Sequence, residues 1–187
     1  MIFQGANPLF NMGSLSYIFY NNVYVTAFLD KDVETDIIPY SNYGNREVIE
    51  LYNANMRKIH FLPFTPEVLL YMQFRDNKAG ILEKMKMTYY NQQLDYDLEQ
   101  NIDLETYNES MPIFSSQKQY KSKIEERGQI RNKCKKETKR IAESLASQLN
   151  IRENEVYNFV FKFAVDDLEG GLINVRALLA QTIKRCL

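Results

Sequence analysis

The sequence predicts an α+β protein in which a tyrosine-rich mixed N-terminal region is followed by a helical C-terminal bundle. β-Branched and aromatic residues dominate two short runs near the N-terminus, and apolar residues recur at helical spacing from residue 117 onward. A polar, aperiodic stretch that contains Pro112 separates these two parts. We therefore expect a mixed α/β region at residues 1–100, a linker or surface loop at 101–116 and a helical region with a basic helix at 117–187.

The N-terminal region contains the strand signals. Residues 17–20 and 23–29 are rich in aromatic and β-branched side chains, and Asn21 and Asn22 lie between them. Two such runs joined by a two-residue loop predict a β-hairpin.

Further elements follow at residues 47–57, which predict a short helix, and at 59–64, which predict an extended segment. Pro66 is then expected in the first turn of a helix. The backbone N–H groups of that turn have no acceptor within the helix, so a proline there costs no hydrogen bond. Residues 81–98 have helical periodicity, which acidic residues weaken toward the end of the run.

The C-terminal region is predicted to be entirely helical. A long helix is expected to carry an apolar face formed by Ile130, Cys134, Ile141, Leu145 and Leu149. Asn150 is expected to end it in a left-handed conformation, and a second helix is expected at 153–169. Gly170 and Gly171 end that helix, and a last one is expected at 172–186.

Charge is strongly segregated along the chain. The net charge of the protein is only −1, but residues 118–140 contain ten basic and three acidic residues, whereas residues 1–116 contain eight basic and fifteen acidic ones. Such a segment can present a positive ridge to a polyanion.

The basic residues include a run spaced four apart, which predicts a stripe along one face of the helix. Stacked like charges destabilise an isolated helix, and a phosphate backbone would compensate for this repulsion. A solvated helix face would carry the same pattern. The candidate phosphate contacts are Lys121, Lys123, Arg127, Arg131, Lys135, Lys136, Lys139 and Arg140.

A helix-turn-helix motif offers another interpretation of the C-terminal region. The motif requires core, small and turn residues in the order in which Leu145, Ala146 and Asn150 occur. The second helix would then read base edges through outward-facing side chains. These candidates are Arg152, Asn154, Asn158 and Lys162. A plain helical hairpin would have the same pattern.

No enzyme signature competes with these patterns. The acidic alternation at residues 30–36 resembles a calcium loop, but Thr35 replaces its glycine and Ser41 its final glutamate. Two cysteines and a single histidine, His60, cannot build a four-ligand zinc site. There is no glycine-rich phosphate loop or serine nucleophile motif. We therefore expect no catalytic residues, no metal and no cofactor, with His60 in a structural role.

Residues 5–13, with the sequence GANPLFNMG, resemble the opening of the large subunits of type I CRISPR interference (Cascade-like) complexes. Those subunits begin with a Gly-Asn-Pro-Phe stretch followed by Asp and Gly, whereas this chain has an inserted Ala6 and has Asn11 in place of the Asp. The basic helical region is similar to the small helical subunits of the same complexes. The resemblance implies binding to a nucleic-acid backbone without cleavage, within an assembly of several proteins.

The sequence thus predicts a non-enzymatic protein that binds the backbone of DNA or RNA, within a larger RNA-guided antiviral defence complex. A helix-turn-helix regulator of phage or plasmid type is the first alternative. A structural or inhibitory adaptor, which would bind an acidic protein through the basic face, is the second. No apolar run approaches the 18 residues of a membrane span and no leader peptide is recognised, so a cytoplasmic location without membrane contact is expected.

Overall fold

The structure is a computed structural model that describes residues 21, 27–56, 58–166, 180 and 184. The resemblance at residues 5–13, the first hairpin strand at 17–20 and the helix end at Gly170 and Gly171 lie outside the described residues. Of the last predicted helix, at 172–186, only residues 180 and 184 are described, and both are helical.

The predicted mixed α+β class is found. The described chain is mostly helical, with a small sheet of two parallel strands and a helical C-terminal part. The elements are β1 (Ala27–Leu29), a π-helical turn (Val33–Ile37), a 3₁₀ turn (Ile38–Tyr40), α1 (Arg46–Ala54), β2 (Ile59–Phe61), α2 (Pro66–Asp76), α3 (Lys78–Tyr89), α4 (Glu105–Asn108), α5 (Gln117–Leu149) and α6 (Glu153–Asp166). No helix in these ranges has the combined length and apolar composition that crossing a bilayer requires.

The described residues form two compact units. The sheet unit contains residues 27–56, 58–65 and 110–124, and the helical unit contains residues 66–109 and 125–166. This division does not follow the predicted boundaries at 100 and 117. Each unit combines segments that are far apart in sequence, and α5 contributes its first turns to one unit and the rest of its length to the other.

The sheet unit is built on a parallel strand pair. Ala27 lies opposite Ile59 and Leu29 opposite Phe61, and the N–H of Leu62 donates to the carbonyl of Leu29 at 2.8 Å. In the described part of the predicted second hairpin strand, residues 27–29 pair with residues 59–61, and Asn21 of the predicted turn is helical. The first hairpin strand lies outside the described residues. Burial explains the pairing, since Ala27, Leu29 and Ile59 pack against Leu51 of α1 in one small core.

The tyrosines of the sheet unit are packing residues. The buried ring of Tyr120 contacts Tyr40, Tyr43 and Phe114, with ring centroids 5.4–5.9 Å apart. The hydroxyl of Tyr120 donates to the carbonyl of Asp36 at 2.7 Å. These rings contact one another directly and their large surfaces are used by the fold.

The helical unit has a continuous apolar core. It is formed by Phe74, Ile81, Leu82, Met85, Leu94, Tyr96, Ile141, Ala142, Leu145, Ala146, Val156, Val160 and Phe163. In α3, α5 and α6 these residues recur every three or four positions, so each of the three helices presents one apolar face to the core. A second cluster joins Tyr71 of α2 and Cys134 of α5 to Ile102, Leu104 and Tyr107.

Residues 91–104 form an extended segment, here called the strap. The predicted helix over 81–98 is wrong beyond Tyr89, where α3 ends. The predicted linker at 101–116 is also wrong over its first half, because Ile102, Leu104 and Tyr107 are buried. Apolar side chains alternate with polar ones along the strap, and the apolar ones anchor it to the core.

Candidate nucleic-acid interface

The basic residues of α5 do not form one exposed stripe. Lys121, Lys135, Lys136 and Lys139 are exposed, Lys123, Arg131 and Arg140 are half-buried, and Arg127 is buried. Lys121 and Lys123 belong to the sheet unit and the other residues belong to the helical unit. The predicted stripe is therefore wrong as a continuous surface, because Arg127, which belongs to it, faces the interior.

Arg127 lies in the second cluster of the helical unit with only 5% of its surface exposed. Its Nη1 donates to the carbonyl of Tyr107 and, at 3.2 Å, to that of Glu109. Its guanidinium carbon lies 4.5 Å from the centroid of the Tyr107 ring. The side chain thus satisfies main-chain acceptors within the protein and is held away from a phosphate.

The sequence contained a signal for this inward position. Arg127 precedes the buried Cys134 by seven residues, which is about two helical turns. Residues at that spacing share a face, so Arg127 falls on the apolar side that Cys134 and Ile141 define. Residues spaced four apart shift slightly around the helix at each step, because one turn holds 3.6 residues. A run of basic residues at this spacing therefore passes from the exposed face of α5 to the buried one.

Arg140 is also engaged within the protein. Its Nη2 donates to Glu137 Oε1 at 2.8 Å and to the carbonyl of Asp97, and its Nη1 lies 3.3 Å from Glu99 Oε1. The guanidinium therefore fixes the strap to α5. The phosphate contact predicted for Arg140 stays a prediction, and the contacts of its guanidinium with the described residues are structural.

Glu137 is the anchor of this network, with 3% of its surface exposed. Burial acts to raise the pKa of Glu137, but hydrogen bonds from Arg140 and from the backbone N–H of Glu99 overcome that effect and lower it. The hydrogen bond to Glu137 is the largest effect that raises the pKa of Arg140. Both groups are therefore charged at neutral pH, and the charge of each offsets the cost of burying the charge of the other.

Within the helical unit, the exposed basic residues of α5 form a short and dense group. They are Lys133, Lys135, Lys136 and Lys139, here called the lysine face. At 3.6 residues per turn they occupy about 160° of the helix circumference, opposite the buried Cys134 and Ile141.

Only Lys139 of the lysine face has an ion pair within the part of the chain that the structure describes, with Glu143 at 3.5 Å. Lys133, Lys135 and Lys136 make none with the described residues. Lys133 also borders a groove of about 590 Å³ between α5 and the strap, whose lining includes the amide side chains of Gln100, Asn101 and Gln129. The lysine face thus carries positive charge that the described protein does not neutralise.

The turn between α5 and α6 agrees with its prediction. Asn150 has a φ of 54°, which confirms the expected left-handed conformation. The N–H of Ile151 donates to the carbonyl of Ala146 at 3.0 Å, the bond that closes a Schellman motif. Three residues separate the two helices, a length that helix-turn-helix motifs use.

The outward face of α6 is also as predicted. Arg152, Asn154, Asn158 and Lys162 are all exposed, while Val156 and Val160 are fully buried. Glu155 is exposed on the same helix, and its carboxylate lies 3.4 Å from the N–H of Arg152. The outward face of α6 therefore carries positive, negative and neutral polar side chains, which include both hydrogen-bond donors and acceptors.

The remaining titratable residues that the sequence analysis considered lie as follows. Among the described residues there is no group of three or more His, Cys, Asp or Glu side chains that could hold a metal ion. His60 lies in β2 with its ring centroid 5.7 Å from that of Phe28. Burial raises the pKa of the Cys134 thiol to about 11, which leaves it protonated. Comparison with known protein families, curated proteins and solved structures finds no match to this chain.

Proposed function

We propose that the protein is a non-enzymatic nucleic-acid-binding protein that contacts the phosphate backbone through the lysine face of α5. The observation that carries the proposal is that three of the four exposed lysines, Lys133, Lys135 and Lys136, have no acidic partner among the described residues. Lysines at successive helix positions repel one another, and a polyanion removes that cost. The role of Arg127 and Arg140 in this proposal is to support the fold beneath the face.

The dimensions of the lysine face set the expected strength of binding. Lys133 and Lys139 are six residues apart, which is about 9 Å along the helix axis. Phosphates recur every 3.4 Å or so along one strand of a duplex, so the face spans roughly three of them. Glu125 and Glu143 are exposed on α5 on either side of the face and limit its length. Binding of this size is weak, independent of sequence and sensitive to salt.

The salt dependence of binding tests the proposal. Fluorescence polarisation of a labelled oligonucleotide is measured for the wild type, for K133Q/K135Q/K136Q and for the charge-conserving K133R/K135R/K136R, at several salt concentrations. We expect the Gln variant to lose about one unit of log–log slope per lysine and the Arg variant to keep the wild-type slope. A Gln variant with the wild-type affinity and slope overturns the proposal.

The setting that we propose is a larger RNA-guided defence complex. The resemblance at residues 5–13 and the basic helical region both support it. Affinity purification of the tagged protein from its native host, with and without nuclease treatment, tests this setting. We expect further protein subunits and RNA to co-purify. Recovery of an acidic protein that does not depend on nucleic acid would favour the adaptor instead.

A helix-turn-helix regulator is a second candidate function, which the geometry of the α5–α6 turn favours. The three-residue turn, the left-handed Asn150 and the exposed Asn154 and Asn158 all fit that motif. Asn side chains can make paired hydrogen bonds to adenine. Selection from random duplex DNA distinguishes the two functions, because a regulator returns a consensus sequence and a backbone binder does not.

A further inference from the structure

The groove between α5 and the strap is lined from two sides within the helical unit. Its volume of about 590 Å³ is typical of sites that hold small molecules. The strap and the start of α4 form one wall, with residues 100–103 and 106. The α5 residues of the other wall follow the i, i+3, i+4 and i+7 spacing of a single helix face. They are Glu126, Gln129, Ile130 and Lys133. Both walls therefore belong to one compact unit.

A buried tyrosine fixes the strap wall of the groove. The hydroxyl of Tyr71, which is fully buried, donates to the carbonyl of Gln100 at 3.0 Å and accepts from the N–H of Ile102 at 2.7 Å. The backbone on both sides of Asn101 is therefore held to α2. Ile102, which is 5% exposed, and the half-buried Ile130 supply the apolar part of the lining. A wall that is fixed before a ligand arrives loses little entropy when the ligand binds.

Carboxamides dominate the polar part of the lining. The side-chain amides of Gln100, Asn101 and Gln129 are exposed and make no hydrogen bond with the described residues. Each carboxamide offers a donor beside an acceptor. Asp103 and Glu126 add carboxylates, which only accept hydrogen bonds. The groove is therefore suited to a ligand that pairs a donor with an acceptor along its edge and that carries an amino group.

The groove continues directly into the lysine face. Lys133 lines the groove and is also a member of that face. Gln129 precedes Lys136 by seven residues, which is about two helical turns, so the two side chains lie on the same side of α5. A nucleic-acid strand whose phosphates contact the lysine face therefore passes along the edge of the groove.

We infer that the groove binds an unpaired adenine base of a strand that the lysine face holds. This inference rests on the proposed function of that face. Adenine presents an acceptor beside its amino group on both its Watson–Crick and its Hoogsteen edge, so carboxamides can pair with it from two sides. It is also the one common base without a carbonyl oxygen, which the carboxylates of Asp103 and Glu126 would repel. In a duplex the Watson–Crick edge is occupied by pairing, so the groove adds no sequence preference there.

Single-base changes in an oligothymidine test the inference. Fluorescence polarisation compares the all-thymidine strand with strands that carry one central adenine, guanine or cytosine, or one purine that lacks the exocyclic amino group. We expect the adenine strand to bind on the order of tenfold more tightly than each of the others. The purine without the amino group keeps the ring system of adenine for stacking but cannot donate a hydrogen bond. Equal binding of adenine and this analogue, or equal binding of guanine or cytosine, overturns the inference.

Variants of the protein locate the preference in the groove. N101A/Q129A removes two exposed amides and should abolish the adenine preference while keeping the wild-type salt slope. The control is Asn132→Ala, at an exposed amide of α5 outside the groove lining, which should keep the preference. A correctly folded double variant that still prefers adenine overturns the inference.

The same measurements separate this inference from the proposed function. If the wild type shows no adenine preference while K133Q/K135Q/K136Q loses its salt slope, the assignment of the groove is wrong and the lysine face stands. If the wild type binds neither the single strand nor the duplex, the proposed function fails and the inference fails with it.

Discussion

Arg127 and Tyr107 form a stacked pair in which the guanidinium carbon lies 4.5 Å from the centre of the ring, and the arginine also donates to the backbone carbonyl of that tyrosine. A cation over an aromatic face gains from the charge distribution of the ring, more so when water is excluded. The pair joins α4 to α5 within the helical unit. Because Arg127 is buried in this pair, its mutation should lower the stability of the fold more than mutation of an exposed lysine of α5.

Arg127→Gln should lower the free energy of unfolding by about 2 kcal/mol, because hydrogen bonds from a charged donor to buried carbonyls are lost. An arginine on a solvated helix face would instead leave folding little affected, because relief of repulsion along the helix is mildly favourable. Urea denaturation measures the difference, with Lys135→Gln as the control on the exposed side of the same helix. Equal stability of the two variants would show that the buried contacts of Arg127 contribute nothing.

Leu145→Ala should cost more stability than Phe159→Ala. Leu145 is fully buried in the main core, so its truncation leaves a cavity and costs roughly 2–5 kcal/mol. Phe159 is only partly buried and rests on Tyr89 at the edge of the core, so water can fill part of the space it leaves. The sequence predicts a similar cost for both. Chemical denaturation of the two variants ranks them, and the reverse order would mean that the core does not centre on Leu145.

Glu137 should make stability depend on pH in acid. The folded state lowers the pKa of this carboxyl, so the unfolded state binds its proton more readily. Its contribution is complete above the ordinary glutamate pKa of about 4.3 and is lost as the pH falls through the folded value. We expect the stability difference between the wild type and Glu137→Gln to shrink as the pH falls through this range. A difference that stays constant from neutral to acidic pH would contradict the assignment.

Substitution of Asn154 and Asn158 by Ala should leave binding unchanged. If the protein contacts backbone phosphates, selection from random DNA returns no consensus and the double variant binds as the wild type does. If α6 reads bases, the variant should lose about 1–3 kcal/mol of discrimination at one or two positions. A palindromic consensus in that selection would favour the regulator over the function proposed above.

Local signals in the sequence were sufficient for several elements. The start of α5 at Gln117, its end before a left-handed Asn150 and the outward side chains of α6 all follow from periodicity and capping within a few residues. The side chain of Asn45 accepts a hydrogen bond from the N–H of Val48 at 3.2 Å and begins α1 near the predicted position.

Long-range contacts account for what the sequence did not reveal. β1 pairs with β2, which follows it by some thirty residues, and no local feature of either strand marks the other as its parallel partner. Arg127 is buried because the carbonyls of Tyr107 and Glu109 accept from it, and those acceptors lie almost twenty residues earlier. The sequence predicts the strap as the weakened end of a helix followed by a loop, and only its contacts with α5 reveal Glu137 and Arg140 as its anchors.

The division of α5 between the two units has a consequence for synthesis on the ribosome. Residues 66–109 leave the ribosome before residues 125–166, with which they share a core. The apolar faces of α2 and α3 therefore stay open until the second half of α5 and α6 have been made. The sheet unit likewise lacks residues 110–124 while its strands emerge. Neither half of the chain, cut at the boundary that the sequence suggests, contains a complete core, so the nascent protein gains its stability late and over a short interval.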